Sequence, residues 1–166
     1  MLIILGGLPG SGKTSVARTL ARRLGAIHIR VDTIEQALRR SDAFTGSNDH
    51  AGYVVAFAVA EDNLRLGRIV VADSVNPVSS SRDAWLAAAR NTGVSVLQVE
   101  LFCSNAVEHR RRVETRVADI EGLKQPSWND VVARNYEPWN GDVLKLDTAT
   151  LSVDQCADRI VAASGG

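Results

Sequence analysis

The sequence predicts an α/β fold in three layers, with a five-stranded parallel sheet between helices. Three observations lead there. Short β-branched or leucine-rich runs alternate along the chain with longer stretches of helical spacing. Runs such as Ile69-Val70-Val71-Ala72 are apolar throughout, as expected of strands covered on both faces. Gly25, Gly67 and Gly93 stand where helices must stop in a left-handed residue. Strand and helix in alternation, with strands buried on both sides, argue for a sheet sandwiched between helices.

In chain order, residues 2–5 form the first strand and run into a glycine-rich turn and a helix over 13–24. A second strand over 26–31 precedes helices over 33–40 and 53–66, and a third strand covers 68–73. A helix over 79–92, a fourth strand over 94–102 and helices over 106–117 and 128–136 follow. The last pair is a strand over 143–146 and a helix over 153–163. The irregular stretches 41–52 and 118–127 are expected as mobile loops over a site, with a lid around 110–127, and the 164–166 tail as frayed.

At 166 residues the chain has the size of one compact domain, so residues 1–166 are expected to fold as a unit without disulfides. Nineteen Lys plus Arg offset nineteen Asp plus Glu, which excludes the broad basic field that holds a long polyanion non-specifically. Cys103 and Cys156 lie in apolar stretches and are expected as reduced core residues. The apolar start, Met1 to Leu5, has no basic n-region and is too short for a leader or a membrane span, so a cytoplasmic protein with no membrane partner is expected.

The most specific signal is Gly7-Leu8-Pro9-Gly10-Ser11-Gly12-Lys13-Thr14, a full match to G-x-x-x-x-G-K-[ST] between a strand and a helix. Glycines let successive backbone N–H groups converge on phosphate oxygens, and the positive end of the helix favours an anion there. The stretch therefore predicts a P-loop NTPase fold that binds ATP through Gly7, Pro9, Gly10, Ser11, Gly12, Lys13, Thr14 and Ser15. Lys13 is expected to reach the β- and γ-phosphates, and Thr14 to ligate Mg²⁺ through its hydroxyl. A GTPase is disfavoured, because there is no Asn-Lys-x-Asp element and no Asp-x-x-Gly switch after the third strand.

Ligands of open α/β sheets bind beyond the carboxyl ends of strands. Asp32 ends the second predicted strand and Asp73 the third. Asp32 is a candidate general base for an attacking hydroxyl, with helix capping as the alternative. Asp73 is a candidate Mg²⁺ carboxylate, with capping of the turn 74–77 as the alternative. The basic run from His109 to Arg116 places Arg112 and Arg116 at i, i+4 on one helix face, where two guanidiniums could meet charge spreading over a transferring phosphoryl group. The alternative is a solvated face paired with Glu108 and Glu114. His28, His50 and His109 have no metal-ligand spacing and are assigned no chemistry.

These residues resemble the P-loop kinase group that includes polynucleotide 5′-hydroxyl kinases and chloramphenicol phosphotransferase, over nearly the whole chain. Asp73-Ser74-Val75-Asn76-Pro77, followed by Arg82 and Trp85, resembles the polynucleotide kinase turn and the helix after it, and Arg112 with Arg116 resembles that family's lid arginines. Asp32 stands where these families carry a general base. Polynucleotide kinases commonly place an Arg three residues later, where this chain has Glu35, and Val31-Asp32-Thr33-Ile34-Glu35 is instead similar to the chloramphenicol phosphotransferase stretch. The resemblance implies an ATP- and Mg²⁺-dependent kinase with Lys13, Asp32, Arg112 and Arg116 as catalytic residues, Thr14 and Asp73 at the metal, and a small hydroxyl compound as acceptor. A nucleic-acid 5′-hydroxyl kinase and a non-catalytic ATP-binding regulatory module are the alternatives.

Overall fold

The computed structural model describes residues 1–41 and 50–165. Five strands, β1 (Leu2–Gly6), β2 (Ile27–Arg30), β3 (Val70–Asp73), β4 (Val96–Phe102) and β5 (Leu144–Asp147), form one sheet in the order β2-β3-β1-β4-β5. Every pairing is parallel, with Leu5 opposite both Asp73 and Val99. The helices are α1 (Lys13–Leu24), α2 (Val31–Arg39), α3 (Ala51–Arg65), α4 (Ser79–Thr92), α5 (Ala106–Thr115), α6 (Trp128–Val132) and α7 (Val153–Ala163).

Two-residue alternation along the strands divides the core. Leu2, Ile4, Val70 and Ala72 face one layer, where they meet Ala56, Ala60 and Leu64 of α3 and Trp85 and Ala89 of α4. Ile3, Leu5, Val71 and Val99 face the other, where they meet Val16, Ala17 and Leu20 of α1 and Cys156, Ala157 and Ile160 of α7. Each of these large side chains contributes roughly 1.5–3 kcal/mol by leaving water. The order of strands puts a crossover at β1, from which the chain goes first to the β2 side and then to the β4 side, so the crevice beyond the carboxyl end of β1 is the expected ligand position.

Four local expectations are corrected. The second strand stops at Arg30, and Val31, 2% exposed in the core, already begins α2. Asp32 is therefore neither a strand terminus nor a cap; it lies in the first turn of the helix, where the macrodipole favours a carboxylate. α5 stops at Thr115 and Arg116 is extended (φ −64, ψ 125), so Arg112 and Arg116 do not continue one helical face. α6 stops at Val132 because the following chain is drawn to the sheet: Glu137 N–H donates to Pro77 O, and Arg82 donates to the carbonyls of Glu137 and Pro138. Cys156 is a core residue as expected, whereas Cys103 is half-exposed and lies outside both core clusters. Of the loop expected over 41–52, residues 42–49 lie outside the described residues, and α3 takes in the rest from Ala51.

Candidate active site

The cradle is built by local sequence. Gly10 (φ 83) and Gly12 (φ 91) take left-handed conformations that side chains disfavour, and a Cβ on Gly10 would stand 2.7 Å from Val113 Cγ2. Gly12 is the N-cap of α1 and supplies no side chain, which leaves the first-turn N–H groups for an anion. Lys13 is 8% exposed and its Nζ donates to Leu8 O at 2.9 Å. Burial pulls the Lys13 ammonium down to about 8; Asp73 and Asp32 act against that shift, while Arg116 and Arg134 add to it. An amine held that way gains from any anion delivered to it.

A second brace comes from α5. The buried His109 donates from Nε2 to Pro9 O at 2.8 Å and meets the Trp128 ring edge-to-face, with centroids 5.3 Å apart. At the end of β3, Asp73 is 3% exposed, and its Oδ2 lies 3.1 Å from His28 Nε2. Burial pushes the Asp73 carboxyl up, but the His28 bond, the Lys13 charge and the Thr14 hydroxyl outweigh it and hold the group below the usual range.

Two cavities meet at Lys13 and Thr14. The larger, about 1140 Å³, takes Asp32, Glu35, Gln36 and Arg39 from the inner face of α2, Tyr53 and Phe57 from α3, Asp73 and Ser74 from β3 and its turn, and Lys124 and Arg134 from the chain beyond α5. The smaller, about 290 Å³, runs from Gly10, Gly12 and Ser15 to Arg18, Arg111, Arg112 and Asp119. Arg116 borders both. The structure thus brings Lys13, Thr14, Asp32, Asp73 and Arg116 to one cleft. Arg112 is committed elsewhere: Nε donates to Glu108, and its two terminal nitrogens donate to Thr148 Oγ1 and Thr148 O, both at 2.9 Å. It closes the smaller cavity rather than pointing with Arg116.

Asp119 gathers three arginines. Arg30 donates to both of its oxygens, at 2.8 and 3.1 Å, Arg18 donates to Oδ2, and Arg116 approaches to 3.9 Å. These contacts hold the Asp119 carboxyl well below its usual range, the Arg30 hydrogen bond being the largest influence. Arg30 also lies 3.7 Å from Asp32. The 119–122 stretch is further tied to α2, where Gln36 donates to Glu121 O and Arg40 pairs with the Glu121 carboxylate.

The motif turn after β3 has a structural part. Asn76, fully buried at φ 49, donates to Leu5 O and accepts from Trp85 Nε1 and Ser74 Oγ. Arg82 stacks on Trp139 at 4.4 Å and donates to Asn76 O. These residues fix the turn that carries Ser74 to Pro77 into the cleft.

Residues suited to Mg²⁺ are Thr14 and Asp73. No cluster of three or more His, Cys, Asp or Glu side chains with metal-site geometry occurs among the described residues. One carboxylate and one hydroxyl fit Mg²⁺, which keeps several waters and takes its remaining ligands from substrate phosphates. Among the described residues, no helix is long and apolar enough to cross a membrane.

The sheet order, the cradle and the carboxylate beside it define a small P-loop protein of kinase-like fold. The chain belongs to the AAA domain family, whose model matches residues 2–138. No curated protein sequence matches it. Among solved structures it is similar to the Mycobacterium tuberculosis APS kinase CysC in complex with AMPPNP and APS, at 18% identity and TM-score 0.74, covering 99% of this chain and 97% of that one. It is also similar to a gluconokinase from Sinorhizobium meliloti, at 20% identity and TM-score 0.66, over 98% and 90% of the two chains. Chaetomium thermophilum Kti12 in complex with ADP-AlF3 matches at 24% identity and TM-score 0.66, over the full length of both chains. Identities this low establish a shared fold.

Sequence pattern assigned no role to His28, His109, Arg18, Arg30 or Asp119. His28 and Arg30 stand two apart on β2, on the same face as Asp73, a signal that becomes readable once β2 and β3 are paired. Asp119 lies in a stretch without periodicity, and only the fold shows its partners.

Proposed function

We propose that this protein is an ATP-dependent phosphotransferase that moves the γ-phosphate of ATP to a hydroxyl group of a small molecule. The observation that carries this reading is the meeting of Lys13, Thr14, Asp73 and Asp32 along one cleft, with both carboxylates acting on the Lys13 ammonium. Lys13 and the backbone of residues 7–15 hold the triphosphate. Asp32, with 38% of its side chain exposed, takes the proton of the acceptor hydroxyl. The acceptor oxygen bonds to the γ-phosphorus as the bond to the bridging oxygen of ADP breaks, and ADP leaves with that electron pair. Arg116, bordering both cavities, faces the charge that spreads over the transferring group. Thr14 and Asp73 would hold Mg²⁺, which would supply positive charge to offset that of the phosphates.

A small acceptor is favoured over a polynucleotide by the wall opposite the cradle. It offers Asp32, Glu35, Tyr53, Val54 and Phe57, and its Arg39 and Arg40 are each paired with a carboxylate. The test is transfer of labelled γ-phosphate to a panel of small hydroxyl compounds and 5′-hydroxyl oligonucleotides. Transfer to small compounds with shallow salt dependence is the expected result. A rate that grows with oligonucleotide length and collapses between low and physiological salt would reassign the acceptor, and ATP binding with no transfer to any member would overturn the phosphotransferase reading.

A further inference from the structure

We propose that His28 is a positioning residue for the divalent-cation site, acting by holding the Asp73 carboxylate in the orientation that a cation beside Thr14 requires. This inference rests on the assignment of Asp73 and Thr14 to the cation.

His28 sits in the middle of β2, in register with Val71 of β3, and Arg30 two residues on is in register with Asp73. The alternation that sends Ile29 to the α3–α4 layer turns His28 and Arg30 to the other face, where Asp73 also points. From there the imidazole reaches diagonally across one strand pair, and Nε2 comes to 3.1 Å from Asp73 Oδ2. A carboxylate that ligates a cation is ionised and can only accept, so Nε2 carries the hydrogen.

His28 lines neither of these two cavities. Its influence passes through Asp73. That carboxylate is 3% exposed and has no water shell to orient it. Oδ2 is tied to His28, and the Thr14 hydroxyl acts on the same carboxylate. A buried carboxylate without the His28 bond loses the partner that fixes its orientation and is free to turn. That change removes a ready oxygen from the cation. Partners of this kind, one step behind a metal ligand, typically change metal affinity by about 10–100-fold.

The experiment compares His28→Leu, His28→Gln and Asp73→Asn. Gln puts an amide N–H near the place of Nε2, whereas Leu keeps bulk and loses the donor. Mn²⁺ binding to the protein with a non-hydrolysable ATP analogue is followed by loss of the free-ion paramagnetic signal. Analogue binding without metal and thermal stability are measured alongside.

His28→Leu is expected to raise the Mn²⁺ dissociation constant at least fivefold, with metal-free analogue affinity unchanged within twofold and His28→Gln within threefold of the parent. If His28→Leu does not fold, His28→Asn, whose amide is too short to reach Oδ2, takes its place under the same criterion. A shift below fivefold while Asp73→Asn loses Mn²⁺ affinity overturns the His28 proposal alone. A shift in neither overturns the assignment of Asp73 as well. An equal loss in His28→Gln and His28→Leu also overturns the proposal, since it would mean that ring packing and not the donor matters.

Discussion

At the nucleotide end of the cleft the cradle is one uninterrupted stretch from Gly7 to Ser15, whereas the acceptor end takes Asp32 from α2, Tyr53 and Phe57 from α3, Ser80 from α4, and Lys124 and Arg134 from the chain beyond α5. The first end presents backbone N–H groups, whose directions are fixed by a few left-handed glycines and a helix start. Its counterpart holds its shape through long-range ties, such as Arg30 to Asp119 and Arg40 to Glu121. Exposed ion pairs like the latter contribute about 0–1 kcal/mol each. Under the proposed function, the cradle is the part that local sequence shapes and the acceptor wall the part that packing shapes.

The largest expected effect falls on the cradle. Lys13→Ala removes the buried cation while leaving the backbone loop, so phosphate transfer should fall to background and ATP affinity should drop; full turnover in that variant would sink the proposed mechanism.

On the acceptor side, Asp32→Asn keeps the shape of the first turn of α2 but cannot accept a proton. A fall of about 10²–10⁴-fold in kcat is expected, with ATP affinity nearly unchanged. A near-parental kcat with a raised acceptor KM would make Asp32 a binding residue, and the contrast between the two ends would then be one of binding alone.

Arg116 and Arg112 divide the boundary between the ends. Arg116→Ala is expected to lower kcat by about 10–100-fold, because its guanidinium borders both cavities. Arg112→Ala should act mainly on nucleotide KM and on stability, because that guanidinium joins Glu108 to Thr148 beside the smaller cavity. Equal kcat losses in the two variants would restore the pairing that helical spacing suggested.

The smallest effect is a pH dependence confined to the cradle. Lys13 in the free protein loses its proton near 8, against 10.5 for an unburied lysine. A bound triphosphate favours the ammonium, so binding above that pH must take up a proton. ATP affinity should be flat just below pH 8 and fall toward tenfold per unit above it, since a one-unit gap corresponds to about 1.36 kcal/mol. Calorimetry at pH 9 in two buffers of different ionisation heat checks the proton count; no uptake would show that Lys13 is already protonated in the free cradle.

Legibility in the sequence followed the range of the interactions. The five strands and seven helices of the described residues were readable within a few residues, because apolar runs and helical spacing are local. The boundary misplaced furthest, at Val132, is one decided by distant partners. α6 ends where Arg82, some fifty residues earlier, captures the carbonyls of Glu137 and Pro138. The face shared by Arg112 and Arg116 dissolved because α5 ends at Thr115 and Thr148 takes the Arg112 guanidinium.

By itself the sequence determined the parallel α/β fold, the phosphate cradle with Lys13 and Thr14, and the presence of acids beside the ends of β2 and β3. Those depend on glycine conformations, helix starts and apolar runs, which neighbouring residues specify. Tertiary structure alone decided which side chains stand behind that chemistry: His28 on Asp73, His109 under Pro9, Asp119 between Arg18 and Arg30. Each of these contacts joins residues from distant parts of the chain, and a hydrogen bond across 45 or 100 residues leaves no mark on the spacing of either partner. It exists because the sheet sets neighbouring strands less than 5 Å apart and the core holds the helices against them.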